Sequence, residues 1–88
     1  MSGDLDKLRK KLLYRASYRG FKEADILIGA FARERLGAMN AGELEEFEAL
    51  LSVNDRDLYA WAVGDSEPPA NLDGPVMQAI KAFQLMHG

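Results

Sequence analysis

The sequence predicts an all-α fold, a small single-domain bundle of five helices over residues 1–88. Apolar residues recur three or four positions apart in five separate segments, which is the spacing of one helix face. No segment alternates between apolar and polar residues over the length of a strand. Hydrophobic residues make up 48% of the chain, which is enough for one core in a domain of this size.

The first predicted helix runs from Leu5 to Arg19, and Ser2 and Asp4 are alternative caps for its start. Residues 1–23 carry seven basic and three acidic side chains, whereas residues 24–88 carry four and eleven. The basic residues follow a row beside the apolar stripe, which is either a solvated helix face or a docking surface for an acidic partner. The stripe is Leu5, Leu8, Leu12 and Ala16, and the row is Lys7, Lys11, Arg15 and Arg19.

A glycine, Gly20, is expected to end this helix, because the residue just past a helix often adopts a left-handed conformation that glycine reaches without strain. The second predicted helix runs from Lys22 to Arg35, and Gly37 closes it. Its acidic first turn favours the positive end of the helix dipole. Its inward face consists of Ala24, Leu27, Ala30 and Phe31, widened by Ile26 and Ile28.

The third and fourth helices have recognisable starts. Asn40 and Glu43 form a variant capping box, and Asn54 or Asp55 starts a short fourth helix. Trp61 is expected in the core, since large aromatic residues are mostly buried. The other inward residues are Leu44, Phe47, Leu50, Leu51, Leu58 and Ala62, and the glutamates expected to face water are Glu43, Glu45, Glu46 and Glu48.

Residues 64–72 contain Pro68 and Pro69, which predicts a loop. Asp73 is the expected cap of the fifth helix, whose first turn tolerates Pro75. The apolar face of that helix is Val76, Ile80 and Phe83, and Met77 and Met86 are expected to fill gaps in the packing.

The residues that common active sites require are missing from the sequence. There is no cysteine, and the single histidine is His87, so neither a thiolate metal site nor a Ser-His-Asp set can be assembled. No Gly-x-Gly-x-x-Gly phosphate loop occurs, and no apolar run approaches the roughly 18–20 residues of a membrane span. We therefore expect no enzyme activity, no metal, no tightly held cofactor and no membrane insertion. Without an apolar signal sequence, the expected location is the cytoplasm.

Two helices joined at Gly20 also match the outline of a helix-turn-helix. The second helix would then read nucleic acid, but its only basic residues are Lys22, Arg33 and Arg35. The chain has an isoelectric point near 5.0, which disfavours nucleic acid as a partner.

The stretch Arg19-Gly20-Phe21-Lys22-Glu23 permits two interpretations. In the first, Arg19 and Glu23 form a surface ion pair worth about 0.2–0.5 kcal/mol, and Gly20 only stops a helix. In the second, Gly20 leaves the backbone open to a partner, Arg19 offers a planar fork to a carboxylate or carbonyl, and Glu23 accepts from a partner's donor. Under the second, replacing Arg19 by alanine should barely change the melting temperature.

Several blocks occur in a characteristic order: Lys11-Leu12-Leu13-Tyr14-Arg15, then Arg19-Gly20-x-x-Glu23, Phe47-Glu48-Ala49-Leu50-Leu51, Asn54-Asp55-Arg56-Asp57-Leu58-Tyr59-Ala60-Trp61 and the pair Pro68-Pro69. Over nearly the whole chain this order resembles the succinate dehydrogenase assembly factors of the FAD attachment family. Many members have a basic residue before the motif arginine, where this chain has Tyr18.

The resemblance implies a five-helix protein that is not an enzyme. Such factors bind the flavoprotein subunit of succinate dehydrogenase, or the similar subunit of fumarate reductase, and promote autocatalytic linkage of FAD to a histidine of that subunit. FAD then acts on the partner subunit. The implied partner-binding residues are Arg19, Gly20 and Glu23, with Arg15, Tyr18, Phe21 and Asp25 as further contacts. The implied location is the bacterial cytoplasm, or the mitochondrial matrix for eukaryotic relatives, and the free protein is expected to be a monomer.

Two other functions stay open at this point. One is a generic helical adaptor that binds proteins through the basic face and has no link to flavin. The other is a weak carrier of FAD. If the partner captured by this chain is not a flavoprotein, the generic adaptor is favoured over a flavinylation factor. A yellow colour of the purified protein would indicate the FAD carrier.

Overall fold

The computed structural model describes residues 2–87 and, within them, the side chains of residues 3–86. Two short 3-10 turns follow α2 and precede α5, and no strand occurs within residues 2–87. The prediction of an all-α, five-helix fold is therefore confirmed. The helices are α1 (Ser2–Ser17), α2 (Lys22–Arg35), α3 (Ala41–Leu51), α4 (Asp55–Val63) and α5 (Pro75–His87), and the 3-10 turns are Leu36–Ala38 and Ala70–Leu72.

Helix α1 begins and ends earlier than the sequence predicted. It starts at Ser2, so Asp4 lies within its first turn and is not its cap; the alternative cap, the Ser2 side chain, lies outside the described side chains. It ends at Ser17, whose hydroxyl donates to the carbonyl of Leu13 at 2.8 Å. Arg19 therefore belongs to the connection between α1 and α2 and not to a helix.

The bounds of α2 agree with the prediction, and Gly37 lies in the 3-10 turn that follows it. Helices α1 and α2 pack closely because Gly29 lies where they meet. A Cβ atom at Gly29 would lie 3.4 Å from the Cα atom of Ser17, in close contact with its backbone. The end of α1 is therefore pressed against the middle of α2, and this contact fixes where the connection begins.

The predicted capping box at α3 is confirmed: the Glu43 amide donates to the Asn40 side chain at 2.9 Å, and the Asn40 amide donates to the Glu43 side chain at 3.0 Å. Of the two alternatives for α4, Asn54 is the cap, since its side chain accepts from the Arg56 amide at 2.9 Å. Gly64 ends α4 with a φ of 87°, the only positive φ among the described residues.

One apolar core joins all five helices. Phe31 lies at its centre, with ring centroids 5.7 Å from those of both Phe47 and Phe83. Trp61 is 9% exposed, which confirms it as a core residue. Met77 is buried as predicted, but Met86 is 76% exposed, so the prediction that it fills a gap is wrong.

The start of α5 is capped from another helix. The Glu46 carboxylate on α3 accepts from the Val76 amide at 2.7 Å and from the Met77 amide at 3.4 Å. The predicted cap, Asp73, instead accepts from the side chain of Gln78. A sequence pattern favours nearby caps, whereas this cap lies 30 residues away and depends on the packing of α3 against α5.

The α3 glutamates do not share one environment, so the prediction that all of them face water is wrong. Glu45 is exposed, but Glu46 caps α5. Glu48 forms ion pairs with Lys11 at 3.3 Å and with Arg15 at 3.7 Å. Part of the basic row on α1 is therefore neutralised by α3 within the folded chain.

Candidate functional site

Residues 18–21 form the turn between α1 and α2, and this turn is tied down at its backbone. The Arg19 amide donates to the side chain of Asp25, which reaches back from the first turn of α2. The Asp25 amide in turn donates to the Phe21 carbonyl at 3.1 Å. Phe21 precedes α2 in an extended conformation and makes no side-chain cap. Asp25 thus ties the backbone of the turn to the first turn of α2, although α2 has no side-chain cap.

The Arg19 side chain points into the molecule and not toward solvent. Its exposed fraction is 6%, and its Nη2 atom lies 2.6 Å from the Asp55 carboxylate. Its guanidinium also donates to the carbonyl of Leu51 at 2.8 Å and to that of Val53 at 3.1 Å. These acceptors lie at the end of α3, in the α3–α4 connection and at the start of α4, so one planar fork joins the turn to three successive points of the chain.

Both sequence interpretations of Arg19 need correction. Its ion-pair partner is Asp55 and not Glu23. Its fork is already occupied by acceptors of its own chain, and its Nε atom is buried without a hydrogen-bond partner among the described residues. In this conformation the Arg19 side chain holds the turn in place through contacts inside the protein. Direct contact of this side chain with a partner protein stays a prediction.

Gly20 is exposed, but its φ is not positive, so the predicted left-handed conformation is wrong. The close approach that requires a glycine comes from within the chain. A Cβ atom at this position would overlap the Oδ2 atom of Asp55. Because Arg19 holds the other oxygen of that carboxylate, Asp55 cannot move aside without disturbing the ion pair. The Asp55 carboxylate therefore pairs with Arg19 and occupies the space that a side chain at position 20 would need.

Glu23 is exposed and makes no ion pair or hydrogen bond with any other described side chain. It lies in the first turn of α2, where a carboxylate is favoured by the helix dipole. Of the three motif residues, Glu23 is the one whose charged group is available to a partner.

Next to Glu23, an apolar groove of about 370 Å³ lies between α2, α4 and α5. Ile26 in this groove is 58% exposed, and among the described residues Glu23 is the only charged one that lines it. An apolar groove with one carboxylate at its rim suits a protein surface that presents an apolar side chain beside a donor. The lining is Glu23, Ile26, Leu27, Ala30, Tyr59, Val63, Phe83 and Gln84.

Phe21 connects the turn to the wall of this groove. Its ring packs edge-on against Tyr59, with centroids 5.3 Å apart and planes at 77°. The guanidinium carbon of Arg56 lies 5.1 Å from the centroid of the same ring, which is within the range of a cation–π contact. The half-buried Phe21 therefore supports the site from below and is only partly available to a partner.

The remaining predicted site residues separate. Arg15 donates to the Ser52 hydroxyl at 3.1 Å and pairs with Glu48, so it is directed toward α3. Tyr18 is 69% exposed, and its ring centroid lies 4.7 Å from that of Tyr14. The structure thus leaves Tyr18, Gly20 and Glu23 accessible, and it uses Arg15, Arg19 and Asp25 for internal contacts.

Sequence reasoning missed Asp55, Tyr59 and Ile26 as parts of this site. Asp55 and Tyr59 belong to the block of residues 54–61, from which the sequence predicts a helix start and the family resemblance but no site residue. Ile26 is exposed, so the prediction that it widens the inward face of α2 is wrong. Its exposure depends on how α4 and α5 pack against α2, and no spacing in the sequence indicates it.

The fold and the site are those of a small helical protein whose candidate binding site is an open groove on its surface. Among the side chains of residues 3–86, no group of three or more carboxylates is placed to hold a metal. No helix in this range combines the length and the apolar character that a membrane crossing needs.

The chain belongs to the family described as the flavinator of succinate dehydrogenase, whose family model matches residues 10–84. The match includes the turn, the Asp55 block and most of α5. It confirms the resemblance on which the sequence analysis rested.

Curated relatives agree with this assignment. The protein named succinate dehydrogenase assembly factor 2, mitochondrial, from Danio rerio is 37% identical over 81 residues, which cover 90% of this chain and 51% of that protein. Its namesake from Cryptococcus neoformans is 34% identical over 86 residues, or 97% of this chain and 49% of that protein. The Dictyostelium discoideum protein of the same name is 32% identical over 78 residues, or 89% and 55%. The chain spans about half the length of the curated relatives it matches.

Proposed function

We propose that this chain is an assembly factor that binds the flavoprotein subunit of succinate dehydrogenase and promotes covalent attachment of FAD to it. The observation that carries the proposal is the family match over residues 10–84, together with an exposed Glu23 beside an apolar groove. The similar flavoprotein of fumarate reductase is a second client of the same kind. The free protein is proposed to be a monomer.

The proposed role is not enzymatic. This chain then promotes FAD attachment by holding the client and its FAD in a reactive arrangement. Correct orientation alone can lower the activation barrier of such a step by several kcal/mol. In this chain, Glu23 is the acceptor for a donor of the client, and the groove covers an apolar part of the client surface. Gly20 is exposed beside Glu23 and offers its backbone to the same client surface. FAD supplies the reactive group that becomes linked to the client, and this chain holds no FAD tightly.

The location follows from the client. Relatives are named mitochondrial, and we propose that this chain acts where its own client acquires FAD. That compartment is the cytoplasm for a bacterial protein and the mitochondrial matrix for a eukaryotic one.

The test is flavinylation of purified client apoprotein with FAD, in the presence and absence of this chain. Covalent FAD is read as in-gel fluorescence of the client band. We expect the rate to rise with the concentration of this chain until the client is saturated. An equal rate at all concentrations would overturn the proposal, and a stoichiometric flavin absorbance on this chain alone would overturn the statement that it holds no FAD tightly.

A further inference from the structure

A second groove, of about 420 Å³, lies between α1 and α2, on the other side of α1 from the ion pairs with α3. It is separate from the groove beside Glu23, since no residue lines both. Its lining is Lys10, Leu13, Tyr14, Ser17, Tyr18 and Arg33, and we call it the tyrosine groove.

The two tyrosines of this groove are unusually exposed for aromatic residues. Tyr14 is 67% exposed and Tyr18 is 69% exposed, and their rings contact each other at 4.7 Å with a tilt of 40°. The two rings thus contact each other while most of each ring stays open to a partner. Exposed, partly ordered tyrosines are typical of the residues that contribute most to protein interfaces.

The charges of the groove are unbalanced. Lys10 and Arg33 form no ion pair or hydrogen bond with any other described residue. By contrast, Lys11 and Arg15 on the same helix are paired with Glu48. Among the residues whose side chains are described, no carboxylate lines the groove, although the chain has a net charge of −3. Lys7, Lys22 and Arg35 also have no ion-pair partner among the described residues, but they do not line the groove. The tyrosine groove is distinguished by two unpaired cations that lie beside two exposed aromatic rings.

We infer that the tyrosine groove docks an acidic segment of the client flavoprotein. This inference rests on the proposed function and adds a second contact to the one at Glu23. Carboxylates of the segment pair with the planar guanidinium of Arg33 and with Lys10. An apolar side chain of the same segment packs on the rings of Tyr14 and Tyr18.

The shape of the groove favours a polypeptide over a small anion such as the pyrophosphate of FAD. Small-molecule sites enclose most of their ligand, usually 70–90% of its surface. Here both rings that would enclose it are about two-thirds exposed, so the groove is a shallow surface. An extended segment of a protein can satisfy such a surface because the rest of the partner supplies further contacts.

Charge reversal at Arg33 provides the test, and Arg35 provides a matched control. Both arginines lie exposed in the last turn of α2 and affect the helix dipole alike, but only Arg33 lines the groove. Binding of the client subunit is measured at two or more salt concentrations for R33E, R35E and the double variant K10E/R33E. We expect K10E/R33E to bind at least about tenfold more weakly and to lose much of the salt dependence, whereas R35E binds nearly like the wild type.

A carbodiimide crosslink identifies the occupant directly, because it joins an amine to a carboxylate in contact with it. We expect Lys10 to be joined to an acidic residue of the client, with the crosslink reduced in R33E. Crosslinks from Lys22 or Lys81 alone would place the client elsewhere and overturn the inference.

Three further results would contradict the tyrosine groove as a docking site for an acidic segment. If R33E and R35E bind alike while a Glu23 variant binds weakly, the groove is rejected and the proposed function stands. If the wild-type chain does not bind the client at all, both fail. If free FAD, followed by its fluorescence, binds the wild type but not R33E, the groove is a flavin site and the acidic segment is rejected. Melting curves establish that each variant is folded.

Discussion

The Asp55 carboxylate lies 2.6 Å from the guanidinium of Arg19, and this ion pair joins the α1–α2 turn to the first turn of α4. Arg19 is 6% exposed on its side chain and Asp55 is 31% exposed. The arginine is thus the buried partner, and its remaining donors reach the carbonyls of Leu51 and Val53. The ion pair fixes the position of the α1–α2 turn relative to α4. It therefore also sets where Gly20 and Glu23 lie on the surface.

Replacing Arg19 should destabilise the protein. R19A removes a buried ion pair and leaves two carbonyl acceptors without this donor, so the free energy of unfolding should fall by about 2–4 kcal/mol. R19K keeps the charge, but a single ammonium cannot span the three acceptors, so its loss should be intermediate. Urea unfolding measures all three proteins.

Arg35 is the control for this prediction, because it is exposed and has no ion-pair partner among the described residues. R35A should change the free energy of unfolding by less than about 0.5 kcal/mol. An equally small change for R19A would show that the Arg19 side chain is on the surface, as the sequence alone had suggested.

The glycine at position 20 should be required because of Asp55. G20A places a methyl group against a carboxylate that Arg19 holds in place, which should cost about 1–3 kcal/mol. The same substitution should cost much less in a D55A background, because the obstructing oxygen is then absent. A double-mutant cycle of G20A and D55A, followed by thermal or urea unfolding, measures this coupling.

Gly37 is the matched control for Gly20, since a Cβ atom there meets nothing within 4 Å and its φ is not positive. G37A should therefore be nearly neutral or slightly stabilising. An equal cost of G20A in the wild-type and D55A backgrounds would mean that the glycine is needed for another reason.

The helices and most of the core could be predicted from the sequence because both depend on local spacing. Leu44, Phe47 and Leu50 recur on one face of α3 and are buried, and Asn40 and Glu43 form the predicted box. These features need only the geometry of one helix.

The partners of the charged residues could not be predicted in the same way. Arg19 meets Asp55 at a separation of 36 positions, and Glu46 meets Val76 at a separation of 30. Neither distance is set by a helical repeat, since each depends on how two helices pack. Helical spacing alone pairs Arg19 with Glu23, four residues later. That pairing would place the Arg19 side chain on the surface, whereas it is buried. The accessibility of Glu23 was correctly anticipated because it follows from one helix alone.

Glu46 should stabilise the start of α5. E46A removes the carboxylate that accepts from the Val76 and Met77 amides, and the loss of such a cap costs about 0.5–2 kcal/mol. The neighbouring Glu45 is exposed and has no ion-pair partner among the described residues, so E45A should be close to neutral. Thermal unfolding of the two variants tests the assignment, and equal melting temperatures would argue against capping by Glu46.

Trp61 should be a major contributor to the core. W61A should lower the free energy of unfolding by about 3–5 kcal/mol, because the substitution leaves a large cavity. Tyr18 is the aromatic control: it is 69% exposed, and Y18A should cost about 1 kcal/mol or less. A loss below about 1 kcal/mol for W61A in urea unfolding would place Trp61 at the surface and make it a candidate for binding.

Glu23 and Glu34 allow the proposed function to be tested without disturbing the fold. Both are exposed on α2 and form no ion pair among the described residues, but only Glu23 lines the apolar groove. The two lie 11 positions apart, which is about three helical turns. Glutamine at either position keeps the size of the side chain and removes its charge. Melting temperatures of both variants should stay close to that of the wild type.

The most direct measurement is covalent FAD on the client flavoprotein, followed over time with wild-type chain, E23Q or E34Q. At an interface that excludes water, loss of the Glu23 charge leaves a client donor unpaired, which can cost about 2 kcal/mol or more in binding. We therefore expect E23Q to require at least about tenfold more protein than the wild type for the same rate of FAD attachment, and E34Q to match the wild type. Equal activity of all three proteins would contradict the assignment of Glu23 to the client-binding surface.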